Sequence, residues 1–417
     1  MRQFLVEIRT WLQIAFCRIA YPFAVRRLRR KVGHGEKLRV LFVVTESSKW
    51  KTQSLYNAMA KSSCFEPIVC ISRPDLYFHE PREKSVEEFG RCCDFFAKKG
   101  MKIEKVFDPV SGRPTKLVAL KPDIVFYQQP WFSIKGQMPY AISRWAITCY
   151  VPYMVPNYGD LRLEAEKPLH RMVFLLFMLN EWWKNIYEPC RRKMLYAGSF
   201  VATGHTALDE LHFDPKCGDG RDGVIYAPHW TVGERGETGS VCHGTFRWNG
   251  RAILEYAKAH LEWKWYFRPH PNLRHALVKT GLMTPDEVDS YYAAWGEVGS
   301  VELGSYSEMF NDSAVMITDS ASFLTEYAVT GKPIIWLRSA FERHVPMEPS
   351  KQLYSTYYQA SDIDGLMKLF KTVLENRMDP NRALRLDALR RMDLIGKSAA
   401  DNIVKIIYEV VCRRDIR

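Results

Sequence analysis

The sequence predicts an α/β protein: two Rossmann-like domains facing a cleft, with an amphipathic helix ahead of them and helices at the C-terminus. Three observations lead there. Short continuous apolar runs alternate with helical stretches, the pattern of a parallel sheet covered on both faces. The pattern runs once from residue 38, is interrupted by a long apolar stretch, and then restarts. And 417 residues exceed what one hydrophobic core usually serves, so two or three domains are expected.

Residues 1–35 form the leading segment, which opens with "MRQFLVEIRTWLQIAFCRIAYPFAVRRLRRK". Phe4, Leu5, Ile8, Trp11, Leu12, Ala15, Phe16 and Ile19 recur at the i, i+3, i+4, i+7 spacing of one helical face. Pro22 is expected to end or kink that helix. Arg26, Arg27, Arg29, Arg30 and Lys31 then form a basic cluster. The segment lacks the run of about 20 apolar residues that a spanning helix needs. It also lacks a small-residue cleavage site after a clean apolar region, which argues against a secretory signal. Stripe and cluster together predict a helix lying on an anionic membrane surface. The alternative is a stripe packed on the protein's own body.

The first domain is expected over 36–190. Its strands are "KLRVLFVVTES", "EPIVCIS" (66–72), "KIEKVF" (102–107), "PDIVFYQQP" (122–130) and "AITCYVPYM" (146–154), with helices at 52–62 and 85–99. Polar residues cluster just past the strands: Glu46, Gln128, Gln129, Tyr158 and Asp160. Ligands of open α/β sheets sit at those carboxyl ends. Residues 169–197 read as a long apolar helix and a second helix after Pro189, buried between the domains. The second domain is expected over 191–385, with strands "SFVATG" (199–204), "DGVIYAPHW" (222–230), "WKWYFRPHP" (263–271), "VEL" (301–303), "VMITDS" (315–320) and "KPIIWL" (332–337). Helices are expected at 205–211, 247–261, 286–296 and 321–330. The stretch 361–413 reads as helical throughout, and 386–417 as a final helix crossing back.

Apolar residues at 47% and charged residues at 25% are ordinary for a globular protein, but a formal net charge of +12 implies an anionic partner. Basic residues concentrate at the N-terminus and no stacking motif or recognition helix stands out, which argues against nucleic acid. The ten cysteines contain no C-x-x-C pair, and Cys92 and Cys93 are adjacent. Free thiols in a reducing cytosol fit this better than a disulfide framework. Cys242–His243 has no second pair at ligand spacing, so no metal site is expected.

Four stretches of the second half carry candidate chemistry. Gly204 and His205 follow one expected strand, and His229 with Trp230 ends another. Arg268 and His270 end a third, where Pro269 and Pro271 hold the backbone extended. In "VMITDSASFLTEYAVTGKPIIWL", a strand ends at Asp319. Ser320 and Ser322 then open a helix whose first turn has unpaired N–H groups and partial positive charge. That is a phosphate site in outline, although the same residues cap ordinary helices. Arg268 suits a bidentate phosphate contact, and His270 can donate to a phosphate oxygen and titrate near neutrality.

"VATGHTALDEL", "VIYAPHWT", "RPHP" and "ITDSASFLTEYAVTGKPIIWL" stand in the order and spacing of the CDP-glycerol glycerophosphotransferase family. The chain resembles that family over 199–337, and its N-terminal half does so only in outline. The resemblance implies the GT-B fold and metal-independent, inverting transfer of a polyol phosphate, as glycerol phosphate, from a CDP donor. The acceptor would be a hydroxyl on a lipid-linked or saccharide chain, in teichoic-acid-like or capsule synthesis. No cofactor beyond the CDP-polyol donor is implied, and the location would be cytoplasmic, peripheral on the inner face of the cell membrane. In the family's R-x-H-P motif the donor-site histidine falls on His270, behind Arg268. In its T-D-Y-S-S…D motif the positions fall on Asp319, Ser322 and Glu326, with Ser320 in place of tyrosine and Ala321 in place of the first serine. Gly204, His205 and His229 complete the expected donor side.

The family's W-H-G-x-P-x-K motif, whose histidine resembles an acceptor base, has no counterpart here. "CYVPYMVPNYGD" stands at the matching position, with Tyr158 on the acceptor side. Asp160 is the first candidate base and Glu46 the second. Two alternatives stay open: a GT-B glycosyltransferase using a nucleotide sugar, and an inactive GT-B-like scaffold in a membrane-bound synthesis complex.

Overall fold

The computed structural model describes residues 2–74, 82–155, 165–213, 220–232, 244–302, 306–340, 348 and 350–412. Within them the chain forms two compact units: the first takes in the described residues up to Asp209 and those from Lys397 on, the second those from Glu210 to Gly396.

The first unit begins with helix α1 (Arg2–Gly33). Its sheet strands are β1 (Leu38–Val44), β2 (Phe65–Ile71) and β3 (Ile103–Lys105). A separate antiparallel pair comes next, β4 (Phe107–Asp108) with β5 (Arg113–Pro114). The sheet resumes with β6 (Ile124–Tyr127), β7 (Ile147–Tyr150), β8 (Leu175–Met178) and β9 (Ser199–Ala202). The seven sheet strands pair in parallel in the order β3-β2-β1-β6-β7-β8-β9. Helices α2 (Gln53–Lys61), α3 (Arg82–Lys98), α4 (Pro139–Ile142), α5 (Pro168–Met172) and α6 (Glu181–Lys193) connect them. Both faces of the central strands are covered, which is why they read as unbroken apolar runs. Phe42 of β1 stacks on Phe126 of β6 at 4.9 Å and 8°, a contact worth about 1 kcal/mol beyond its area.

The structure corrects three expectations. The apolar stretch 169–197 is not a long helix: "LLFM" is β8, a fully buried strand between α5 and α6. A short apolar run buried on both faces carries no periodicity to separate strand from helix. Pro189 lies inside α6 and does not precede it. "SFVATG" does not open the second sheet but closes the first, pairing β9 with β8 from Leu175↔Ser199 to Met178↔Ala202. The chain therefore passes from the first unit to the second at Asp209/Glu210, not at 190/191.

Helix α1 runs unbroken through Pro22. The proline is exposed, so the backbone bond it forfeits lies on the solvent side. Ile14, Cys17, Tyr21, Ala24 and Leu28, spaced 3, 4, 3 and 4 apart, are the buried face. Tyr21 donates to the Met172 carbonyl at 2.6 Å. Asp123, its side chain wholly buried, accepts from Arg27 at 2.7 Å, Lys31 at 2.9 Å and the Arg39 N–H at 2.8 Å. The stripe expected from sequence is a different face. Of it, Trp11 meets the body, with the Arg171 guanidinium 4.8 Å over its ring, whereas Phe4, Leu12 and Ile19 are each about two-thirds exposed.

The second unit holds β10 (Gly223–Ala227), β11 (Lys264–Phe267), β12 (Gly299–Val301), β13 (Ser313–Thr318), β14 (Ile334–Leu337) and β15 (Tyr358–Ala360). They pair in parallel in the order β12-β11-β10-β13-β14-β15. Between them run α7 (Phe246–Ala259), α8 (Leu273–Lys279), α9 (Pro285–Val298), α10 (Ser307–Asp312), α11 (Ala321–Ala328) and α12 (Ser350–Tyr354), followed by α13 (Ile363–Phe370) and α14 (Arg382–Arg391). Thr284 and Glu287 form a capping box at the start of α9. Tyr226, Phe267 and Trp295 centre the core, the last two stacked at 4.9 Å and 10°.

Helix α15 (Ala399–Cys412) belongs to the first unit. The Asp209 carboxylate accepts from the Ala399 and Ala400 N–H groups at 2.7 and 2.8 Å. Gly204 has φ +94°, and a Cβ on it would meet the Ala399 Cβ at 3.0 Å.

Candidate functional site

In each sheet the strand order turns around between the first strand and a later one: between β1 and β6, and between β10 and β13. Such switch points open a crevice at the carboxyl ends of the strands. The residues just past β10, β11 and β13 are His229, Arg268, His270, Asp319 and Ser320, so the second switch point gathers most of the expected donor side.

Asp319 organises it. One carboxylate oxygen accepts from the His229 N–H at 2.6 Å; the other accepts from the Thr245 N–H at 2.6 Å and its hydroxyl at 2.7 Å. The group is 2% exposed. Burial pushes its carboxyl above the ordinary range, with the three donors pulling the other way. Its oxygens are thus spent tying the end of β10 and the start of α7 to the end of β13. Asp319, expected from sequence on the donor side, thus holds three elements together.

The two prolines around His270 fit the strand pairing. Arg268 N donates to the Tyr226 carbonyl at 2.8 Å and His270 N to the Pro228 carbonyl at 3.0 Å. Pro269 and Pro271 occupy the alternate positions, where no N–H faces β10. The pairing with β10 thus extends past Phe267. The His229 and His270 rings lie 5.3 Å apart, with Trp230 at 6.1 Å from His270.

The backbone sets the tautomer of His270: Asn272 N–H donates to its Nδ1 at 3.1 Å, so in the neutral ring the proton sits on Nε2 and the ring is a donor. His229 Nδ1 meets the Thr231 hydroxyl at 2.9 Å and the Thr231 N–H at 3.3 Å. Burial, and then the charge of Arg268, lower His270 to about 4, so it is neutral at pH 7. Arg268 is itself buried, donates to the Glu302 carbonyl at 2.8 Å, and is lowered by that burial.

Helix α11 starts at Ala321, with Ser320 as its N-cap residue and no cap bond from the Ser320 side chain. Ser322 is half-buried in the first turn. Glu326, 1% exposed, accepts from the Tyr306 hydroxyl. Sequence reasoning missed Thr245 and Tyr306. The only signal for Thr245 was its position just ahead of the α7 periodicity, and Tyr306 carried none.

Two expected donor residues are elsewhere. His205 belongs to the first unit, where Nε2 meets the Pro152 carbonyl at 2.9 Å and Nδ1 accepts from Ala207 N–H at 3.2 Å. Both nitrogens are used within that unit, and burial lowers the ring to about 3. Gly204 serves the close approach of α15. Each thus has a structural use within the first unit.

At the first switch point Glu46 pairs with Lys49 at 3.0 Å, and Lys49 lies over the Trp131 ring at 5.2 Å. Gln129 donates to Thr45, and Gln128 accepts from Lys51 N–H at 2.9 Å. Tyr158 and Asp160 lie outside the described residues. Among the described residues, no three His, Cys, Asp or Glu side chains converge as a metal site.

No family model and no curated protein matches the chain. Solved structures do. UDP-GlcNAc 2-epimerase from Neisseria meningitidis bound to UDP-GlcNAc is similar over 91% of this chain and 100% of its own, with a TM-score of 0.53 and 15% identity. The wall teichoic acid polymerase TagF is similar over 90% of this chain and 89% of its own, with a TM-score of 0.53 and 12% identity. The S. aureus MnaA–UDP co-structure is similar over 89% and 96%, with a TM-score of 0.52 and 14% identity. The two units thus have the GT-B-like two-domain fold.

Proposed function

We propose that the chain is a transferase that moves a polyol phosphate, in the first instance glycerol phosphate, from a CDP-activated donor to a hydroxyl of a lipid-linked or saccharide acceptor. The product would be a cell-surface polymer of the teichoic-acid or capsule type. One observation carries the reading. His270, a neutral imidazole bearing its proton on Nε2, stands 5.3 Å from the His229 ring and next to buried Arg268, at the switch point where α11 begins. Donors and fixed positive charge, beside a carboxylate whose oxygens are already spent on other donors, suit a diphosphate. The similarity to TagF supports the choice of donor class.

In the proposed reaction the acceptor oxygen forms a bond to the phosphorus carrying the polyol. The bond from that phosphorus to the bridging oxygen breaks, and CMP leaves with the electron pair. His270 Nε2–H donates to the phosphate oxygens as charge builds on the leaving group. The acceptor proton goes to a carboxylate, with Asp160 as the first candidate and Glu46 the second. Glu326, held by Tyr306, is proposed to fix donor hydroxyls. Positive charge comes from Arg268 and the helix start, so turnover is expected to survive EDTA.

The second reading, a glycosyltransferase using a nucleotide sugar, is favoured by the equal likeness to the UDP-GlcNAc-bound epimerase. Calorimetric titration with CDP-glycerol, CDP-ribitol, CMP, UDP-GlcNAc and UDP-glucose separates them. Selective binding of a CDP-polyol, lost in His270→Ala, is the expected result. Preference for a UDP-sugar would select the second reading, and no nucleotide binding would leave an inactive scaffold.

A further inference from the structure

Helix α1 has two apolar faces, and the fold uses only one. At about 100° per residue, Tyr21 of the buried face and Ile19 of the other stand about 200° apart. The outer face carries Phe4 (65% exposed), Leu5 (59%), Leu12 (67%), Phe16 (48%), Ile19 (68%) and Phe23 (61%). Water-exposed apolar patches of this extent mark an interaction surface.

We infer that this outer face is a membrane keel, which lays the first unit on an anionic bilayer with α1 parallel to the surface. The charge pattern selects the occupant. Residues 2–33 hold eight basic side chains against one acid, Glu7. Arg27, Lys31 and Arg29 are turned to the body, toward Asp123 and the Val410 carbonyl. Arg9, Arg18, Arg26 and Arg30 are exposed. A second copy of the helix would bring these cations against like charges, whereas anionic headgroups complement them. No helix among the described residues is long and apolar enough to cross a membrane, so the helix lies on the surface. The Asp123 ion pairs and the Tyr21–Met172 bond bolt it to the sheet, so the body is oriented along with the helix and does not hang from a tether. The inference stands apart from the donor chemistry.

The test is co-sedimentation of the full chain with phosphatidylcholine vesicles, with and without about a third phosphatidylglycerol. Three proteins are compared: wild type, Leu12→Glu/Phe16→Glu/Ile19→Glu, and Arg9→Gln/Arg18→Gln/Arg26→Gln/Arg30→Gln. Circular dichroism and Tm confirm that the exposed-face variants keep the fold. Wild type should bind the anionic vesicles at least tenfold tighter than the neutral ones and weaken with salt. The triple glutamate variant should lose at least tenfold on both. The glutamine variant should lose only the anionic preference; if the triple variant does not fold, this protein still decides the matter. Retained binding in the triple variant, or equal binding of wild type to both vesicle types, would overturn the proposal. So would a wild-type dimer that the triple variant dissociates while neither binds vesicles.

Discussion

Replacing Asp319 by asparagine tests the core of the site. The carboxylate accepts three hydrogen bonds, from His229 N–H, Thr245 N–H and the Thr245 hydroxyl. An asparagine has one oxygen, and its amide nitrogen must replace the other. With the nitrogen toward His229, two N–H donors face each other, and the His229 bond is lost. In the flipped orientation the nitrogen meets Thr245 N–H instead, and only the hydroxyl can turn away. Either way one charge-assisted bond goes, worth about 1.5–3 kcal/mol, and a buried backbone donor is stranded. Relief from burying a charge offsets part of this, because burial already disfavours the carboxylate. The expected net loss is about 2 kcal/mol, read as a shifted urea midpoint at unchanged m. Freed from its anchor, the His229 backbone should also cost donor affinity, measured by calorimetry. Ser320→Ala is the contrast: its side chain makes no cap bond, so stability should move by less than about 0.5 kcal/mol while donor affinity falls. A loss below about 0.5 kcal/mol in Asp319→Asn, with donor affinity intact, would refute the account of Asp319 as the tie between three elements.

The same geometry sets other outcomes. Donor binding near pH 6 should take up protons: an arriving diphosphate raises His270 from about 4 toward its ordinary value, and calorimetry in buffers of different ionisation enthalpy would register none if His270 is not at the anion. Stability should fall with acid. His205 and His270 sit at about 3 and about 4 in the fold against 6.5 unfolded, so their contribution is full above pH 6.5 and is lost as pH drops, each by about 1.4 kcal/mol per unit between 6 and 4; His205→Gln should remove one proton from that slope. Asp123→Asn should cost about 2 kcal/mol, kept modest because Arg27 and Lys31 are about a third exposed and can rehydrate, and an unchanged Tm would break the link between α1 and the sheet. Gly204→Ala combines a left-handed φ with a Cβ at 3.0 Å from Ala399, so a Tm drop is expected, and a neutral result would mean that α15 shifts freely.

β10, β11, β13 and β14 were legible because each is a short apolar run bounded by turn residues; β12 was placed two residues late and the three-residue β15 was missed. His229, Arg268 and His270 were legible as residues at strand ends. What failed has physical causes. Four buried residues of β8 have no period, so they were indistinguishable from helix. β9 is an edge strand whose partner is chosen by tertiary pairing, and nothing local says which sheet it joins. His205 and His229 look alike in sequence, each just beyond a strand. Only the partners of their nitrogens separate them: His205 meets the Pro152 carbonyl and the Ala207 N–H, while His229 Nδ1 meets Thr231. The face that α1 buries was masked by a second, more conspicuous apolar face.

The site's two kinds of basic group do different work. Arg268 holds its charge at any pH the protein meets, but it is buried and already bonded to the Glu302 carbonyl, so it contributes a fixed field. His270 could not be a second such cation. Burial and the field of Arg268 keep it neutral, and Asn272 holds Nδ1 as an acceptor. A neutral Nε2–H binds a resting diphosphate only as a hydrogen-bond donor. In the proposed transfer, as negative charge grows on the leaving oxygen, the same field geometry that disfavoured the imidazolium is increasingly compensated, and the bond strengthens with the charge it meets. The interaction is therefore greater in the transition state than in the ground state, which is the condition for an interaction to raise the rate and not just tighten binding. A lysine at 270 would carry its charge from the start and grip donor and transition state more nearly alike. In the proposed reaction, the two prolines that fix this one histidine hold in place a group whose usefulness depends on staying neutral until the phosphorus–oxygen bond begins to break.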